Sequence, residues 1–313
     1  MKKKMLALTL TAAMAASLTA CGGSKPAETT AAATEAVTEA ASTEAAGAET
    51  TAAESEAAAA DVQTVTDGKL TVATSPDFAP YEFYAIGADG KPALAGFDMA
   101  LAQYIADSMG LELEVVTVDF DGVLSELQTK SVDLGLAGLS PDPKREGIMD
   151  FSDIYYMGGQ ALVTVKDNAD KFNSFEAINK PEVSVGAQTG SIQMDLATTN
   201  SPDADIIGLP KVTDIISELL AGKMDAAFIE TDVALSYQKN YPELELVMDV
   251  PYDTEGSSVG ISKGNEALKA AVNAAIASAK EDGSLEKFIA DANEQASGDK
   301  YEGLLDAEGN VQQ

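Results

Sequence analysis

Arg145 ends the stretch Gly138-Leu139-Ser140-Pro141-Asp142-Pro143-Lys144-Arg145. Its guanidinium is a planar fork of donors that matches a carboxylate in two parallel hydrogen bonds. The apolar run at residues 132–137 leads into this stretch. Pro141 and Pro143 fix φ and remove backbone donors, so the chain turns there. Ser140 and Arg145 therefore stand at the mouth of a strand, where open α/β sheets take their ligands; a solvated loop arginine is the alternative. Gly190-Ser191 marks a helix start, whose free N–H groups and dipole favour an anion. An ordinary N-cap would look the same. Glu230 follows the apolar run at residues 226–229, where a carboxylate is not expected to be casual, although a surface Glu opening the next helix would be favoured by the dipole. Asp232 is close enough to be its rival.

The elements that must position these groups follow from periodicity. Strand-like runs at residues 70–73, 113–118 and 132–137 alternate with helical patterns at 96–110 and around 123–127. The first helix puts Phe97, Leu101, Tyr104, Ile105 and Met109 on one face and stops at Gly110. This β-α-β-α-β order predicts a mostly parallel sheet covered by helices. A second set follows, with strands at 183–187, 206–207, 226–229 and 244–250. Its helices lie at 191–197, 213–221 (Ile215, Ile216, Leu219 and Leu220 inward) and 231–240. A strand at 258–261 and helices on either side of Asp282-Gly283 complete the chain. Two such sets in about 245 residues predict two lobes in one folded unit.

Composition narrows the chemistry. The chain carries 20 basic and 51 acidic residues, a net charge of −31, with no His, no Trp and one Cys. Such acidity argues against nucleic acid and against adsorption to anionic membranes. Without His or a second Cys, most nucleophilic, general-base and soft-metal chemistry is closed off, though carboxylate chemistry is not. No metal cluster, phosphate-binding glycine loop or catalytic triad is present in the sequence, so neither cofactor nor catalytic residue is expected.

Residues 1–20 read as a secretory signal: Lys2, Lys3 and Lys4 precede an apolar stretch too short to span a bilayer. Leu18-Thr19-Ala20-Cys21 resembles the lipobox of bacterial lipoproteins, which implies lipidation of Cys21 and attachment to a membrane through buried acyl chains. Residues 21–66 are almost wholly Ala, Thr, Glu and Ser. They cannot bury enough surface to offset their ordering entropy, so a disordered tether is expected.

Five stretches carry a family resemblance in order. They are Thr74-Ser75-Pro76-Asp77-Phe78-Ala79-Pro80-Tyr81-Glu82-Phe83; Gly96-Phe97-Asp98-Met99-Ala100-Leu101-Ala102; Gly138 to Arg145 with Asp150-Phe151-Ser152-Asp153-Ile154-Tyr155-Tyr156; Val185-Gly186-Ala187-Gln188-Thr189-Gly190-Ser191; and Leu220-Ala221-Gly222-Lys223-Met224-Asp225-Ala226-Ala227-Phe228-Ile229-Glu230. Together they resemble the polar amino-acid-binding proteins of ABC importers, the bacterial extracellular solute-binding proteins of family 3. The resemblance implies an α/β, two-lobed, periplasmic-binding-protein-like (type II) fold with hinged lobes. On that reading residues 67–157 and 255–313 form lobe 1 and residues 158–254 form lobe 2. The chain would cross near residues 156–160 and 249–256, where Gly158-Gly159 and Gly256 supply freedom.

A free amino acid presents a carboxylate beside an ammonium, and neither can be desolvated without a partner. The resemblance gives the carboxylate to Arg145 and Ser191, one from each lobe, and the ammonium to Glu230, where the family usually has Asp. Ser140 and the Gly138 backbone supply further hydrogen bonds. Phe78 and Phe120 flank the ligand side chain, which Gln188 and Gln193 also approach. Ser75 stands where some binders of basic amino acids carry an acid; its neutrality disfavours such ligands, though Asp77 nearby works against that inference. Asp142 supports the Arg145 loop, and Asp98 and Asp133 brace loops. The partners implied are a free amino acid, an ABC permease and its ATPase, with a monomer as the default. The expected location is the outer face of a Gram-positive cytoplasmic membrane, with the Gram-negative periplasm as the alternative. Some relatives on this fold are dehydratases of cyclohexadienyl carboxylates, which keeps an enzymatic role as the competing reading, alongside a sensory surface protein.

Overall fold

The computed structural model describes residues 62–87, 90–253, 256–298 and 300–301. All of these fall in the unit spanning residues 46–313, one of two into which the chain divides. The signal at 1–20, Cys21, the tether up to residue 61, and residues 302–313 lie outside the described residues.

Apolar runs build the first sheet. β1 (Lys69–Thr74) is followed by a small hairpin layer of β2 (Asp77–Phe78), β3 (Glu82–Ile86) and β4 (Pro92–Ala95). Then come α1 (Phe97–Ser108), β5 (Glu112–Thr117), α2 (Phe120–Thr129), β6 (Leu134–Gly135) and, after a 3-10 turn at Pro143–Arg145, β7 (Met149–Tyr156). The chain then enters a second sheet through β8 (Gln160–Val165), α3 (Phe175–Ile178), β9 (Ser184–Gln188), α4 (Ile192–Asn200), β10 (Asp205–Leu209), α5 (Val212–Leu220), β11 (Ala226–Glu230), α6 (Thr231–Asn240) and β12 (Leu244–Asp249). It returns to the first sheet with β13 (Ser257–Ser262), α7 (Glu266–Glu281), α8 (Ser284–Ala296) and β14 (Lys300–Tyr301), the last pairing with β3.

The first sheet has the order β5-β1-β6-β13-β7 and the second β10-β9-β11-β8-β12. In each, three adjacent strands are parallel, as βαβ alternation requires. Only β13 in the first sheet and β8 in the second run against the other four, so each sheet is mostly parallel, as expected, but mixed by one antiparallel strand. The departure comes from the crossing strands: β7 and β13 in one sheet, and β8 and β12 in the other, are the ends of the two connections between lobes.

Burial follows the expected faces. Phe97, Leu101 and Ile105 of α1 are fully buried, and Tyr104 and Met109 pack at the edge of the same core. In α5, Ile215, Ile216 and Leu219 are buried, with Leu220 at the margin. β11 and β13 are buried along their whole length, as central strands covered on both faces must be. The strand expected at 132–137 is shorter as a ladder, but Asp133 N–H donates to Thr71 O and Leu136 N–H to Ala73 O beyond its ends.

Residues 62–66 correct the expected tether boundary. The Asp133 carboxylate accepts the Val65 N–H at 2.8 Å, Asn265 donates to Gln63 O at 2.8 Å, and Val62 packs against the core. These partners lie far along the sequence, which composition alone does not reveal.

Candidate functional site

Arg145 is held by its turn. The Asp142 side chain accepts the Lys144 N–H at 2.9 Å and the Asp142 carbonyl accepts the Arg145 N–H at 2.9 Å, so Asp142 shapes the loop. The guanidinium lies over the Phe120 ring, 5.6 Å from its centroid. Nη1 donates to Ser140 O at 3.3 Å, and Nη2 reaches across to the second lobe, donating to Gly190 O at 3.1 Å. Arg145 is only 8% exposed, and among the described residues it ion-pairs with no carboxylate. Burial lowers its pKa, while Asp142 and Asp195 act at longer range to raise it. A buried cation satisfied only by carbonyls is a strong attractor for an anion.

Gly138, beside this loop, has φ of 55° and donates its N–H to Asp98 Oδ2 at 3.0 Å. A Cβ there would lie 2.8 Å from the Phe78 ring, so the phenyl closes directly on the backbone. Asp98 is fully buried and also accepts the Tyr155 hydroxyl at 2.6 Å, which gives it the bracing role expected. Burial pushes its pKa up to about 6 against these donors. Its neighbour Glu82, also fully buried, is raised well above the carboxylate range by burial first and by Asp98 second.

Glu230 ends β11 at the lobe crossing. Its Oε2 caps α6 by accepting the Val233 N–H at 2.8 Å. Its Oε1 accepts the Tyr81 hydroxyl at 3.2 Å and the Gly159 N–H at 3.3 Å. Tyr81 comes from the first lobe, packed 4.4 Å from Phe97 and edge-on to Tyr156 at 5.5 Å. Glu230 is 4% exposed and has no cationic partner among the described residues. Burial, then the neighbouring Asp232, push its pKa up to about 8. The rival Asp232 is only half-buried and accepts the Tyr156 hydroxyl at 2.7 Å.

The remaining expected residues are committed to protein partners to differing degrees. The Ser191 hydroxyl donates to Gln188 O at 2.7 Å while its oxygen caps Met194 N–H at 3.3 Å. That is the N-cap arrangement, and it leaves the first-turn N–H groups of Ile192 and Gln193 as the donors without intrahelical acceptors. The Gln193 amide donates to Gln160 Oε1 at 2.8 Å. Ser75 donates to Asp77 Oδ1 at 2.8 Å, and Gln188 donates to Asp77 Oδ2 at 3.3 Å and to Pro210 O at 3.1 Å. Phe78 lies 5.3 Å from Tyr81. Arg145, Phe120, Ser140 and Gly190 thus form one cluster, and Glu230, Tyr81 and Gly159 another.

Sequence reasoning passed over Tyr81, Gln160 and the cross-lobe role of Asp77. Asp77 and Tyr81 both lie inside the stretch quoted for the first strand-to-loop segment, so the signal was present without a partner to interpret it. Among the described residues, no group of three or more His, Cys, Asp or Glu could hold a metal ion, and no helix is long and apolar enough to cross a membrane.

The family model of the bacterial extracellular solute-binding proteins, family 3, matches residues 70–292. The arginine-binding extracellular protein ArtP of Bacillus subtilis is 33% identical over 224 residues, which cover 70% of this chain and 84% of that protein. A crystal structure of the amino acid ABC transporter substrate-binding protein AbpA from Streptococcus pneumoniae, bound to L-arginine, superposes with a TM-score of 0.71 at 34% identity, covering 74% of this chain and 97% of that one. A cyclohexadienyl dehydratase of Pseudomonas aeruginosa is 27% identical over 177 residues, 56% of this chain and 65% of that protein.

Proposed function

Because the chain belongs to the bacterial extracellular solute-binding proteins, family 3, we propose that it captures a free amino acid between its two lobes and delivers it to an ABC permease and its ATPase. The observation that carries this reading is a buried guanidinium and a buried carboxyl, neither with an ion-pair partner among the described residues: Arg145 and Glu230. A zwitterion satisfies both at once. Its carboxylate takes the Arg145 fork and the first-turn N–H groups of α4, and its ammonium takes Glu230. Phe78 and Phe120 flank the side chain, adding apolar contact at low entropy cost. The lobes on this reading are residues 67–157 with 255–313, and 158–254, hinged at the crossings. Cys21 carries the lipid that keeps a monomeric chain at the outer face of the cytoplasmic membrane of a Gram-positive cell.

Relatives that bind arginine make arginine the first ligand to test. A thermal-shift screen of the twenty amino acids and cystine on the unlipidated chain tests the reading, since a ligand at a hundredfold excess over Kd stabilises by about 2.7 kcal/mol. Arg145→Ala abolishes the shift while the unliganded melt stays cooperative; retained micromolar binding by Arg145→Ala refutes the assignment.

One observation favours a second reading. A carboxyl in a cleft with a pKa near neutrality is what a general acid requires, and Glu230 has one. Loss of prephenate or arogenate on incubation, abolished in Glu230→Gln, would establish a dehydratase. No loss leaves the binding reading alone.

A further inference from the structure

Asp77 belongs to the first lobe, on β2, yet its partners lie mainly in the second. Its Oδ2 accepts the N–H of Val212, the first residue of α5, and the Gln188 amide at 3.3 Å. Its carbonyl accepts the Tyr237 hydroxyl of α6 at 3.1 Å. Ser75 occupies Oδ1 from its own lobe, and Lys211, just before α5, adds a positive charge from the other. Both carboxylate oxygens are therefore engaged by protein donors, and the residue is only 8% exposed. Neither the paired charges proposed for the ligand nor the aromatic flanks require these contacts. A rotation of the lobes about the crossings at residues 156–160 and 249–256 that carries β2 away from α5 would break them.

We propose that Asp77 is an interlobe latch: its bonds to α5, Gln188 and Tyr237 form when the lobes close, so it sets the closed-to-open balance, and through it the affinity, without recognising the ligand's side chain. The proposal rests on the hinged amino-acid-binding reading. The latch is worth what hydrogen bonds to a charged acceptor are worth, so its loss speeds ligand release about tenfold or more.

The test compares the chain with Asp77→Ala and Asp77→Asn, the latter serving if the alanine variant fails to fold. Backbone amide exchange is followed in the ligand-free chain at Val212 and at the first turn of α4, which Asp77 does not touch. Release rates are measured by stopped flow for every amino acid that the unaltered chain binds. The latch predicts faster exchange at both places and a common acceleration of release that leaves the ranking of amino acids unchanged. Faster exchange at Val212 alone would make Asp77 a local helix cap, and an altered ranking would make it a recognition group; either overturns the proposal. If the unaltered chain binds no amino acid, the functional reading fails by itself and the exchange at α4 still decides the latch.

Discussion

Binding should expel a proton from Glu230. In the closed cleft without a cation, Glu230 has a pKa of about 8, so at pH 7 roughly nine carboxyls in ten are protonated. A ligand ammonium placed against it favours the charged form, and an opposite charge within about 4–6 Å lowers a carboxyl pKa by roughly one to three pH units. The bound value then lies between about 5 and 7, and roughly 0.4 to 0.9 proton leaves per ligand bound at pH 7. Isothermal titration at one pH in phosphate, HEPES and Tris reads this directly, because the observed enthalpy varies with the buffer's ionisation enthalpy and the slope counts the protons exchanged. The slope should show release at pH 7, turn to proton uptake by pH 9, where Glu230 is already ionised and the free ligand must regain its own ammonium proton, and lose the release at pH 7 in Glu230→Gln. That variant should also bind at least about thirtyfold more weakly, the scale for removing one member of a buried charge pair. A slope of zero at pH 7, or an unchanged slope in Glu230→Gln, would refute the assignment of Glu230 to the ammonium.

Two further outcomes follow from the same groups. Glu230 is raised from an ordinary value of 4.5 to about 8, so it favours the folded ligand-free state most below about pH 4.5, and that contribution is lost as pH rises toward 8, by at most about 1.4 kcal/mol per pH unit; melting temperatures from pH 5 to 8 should fall less in Glu230→Gln than in the unaltered chain, and parallel curves would count against a buried protonated carboxyl. Gly158→Ala places a Cβ 2.5 Å from Glu230 Oε1 and 2.6 Å from the Tyr81 hydroxyl, so it should cost on the order of 1–3 kcal/mol in overpacking and weaken amino-acid binding; a melt and affinity like those of the unaltered chain would mean that the crossing relaxes freely.

The helices and central strands were legible because they repeat a pattern within a few residues. The inward face of α5 is Ile215, Ile216 and Leu219, and three adjacent buried positions at helical spacing can be read without a partner. The hairpin layer of β2, β3 and β4 was not anticipated. β3 alternates poorly, with the charged Glu82 and the apolar Phe83 both buried, so period-two reasoning has nothing to hold. Gln63 and Val65, expected to be disordered, are bonded to Asn265 and Asp133, and this was not legible for a related reason, since those partners are far away in sequence. Candidate site residues could be proposed from motifs. What each is bonded to was not legible: Ser191 spends its hydroxyl proton on Gln188 O, and Gln193 spends its amide on Gln160.

The same limit applies with most force to the carboxylates, and it explains why one of them suits an ammonium. Asp77, Asp98 and Glu230 are 8%, 0% and 4% exposed, so burial alone does not rank them. All three accept hydrogen bonds, and in all three burial is the largest upward influence. The difference lies in the charges around them. Asp77 has Lys211 in its field and settles at about 6. Asp98 takes hydrogen bonds from Tyr155 and the Gly138 N–H and also settles at about 6. Glu230 instead has a like charge, Asp232, adding to burial, and its three donors leave it at about 8. Of these three it is therefore the carboxyl with most to gain from an arriving cation, while Asp77 and Asp98 are already closer to holding their charge with partners from the protein. Placing a like charge beside the ligand's acceptor raises the cost of ionising it without the ligand, and so couples occupancy of the cleft to the charge state of the group that recognises it.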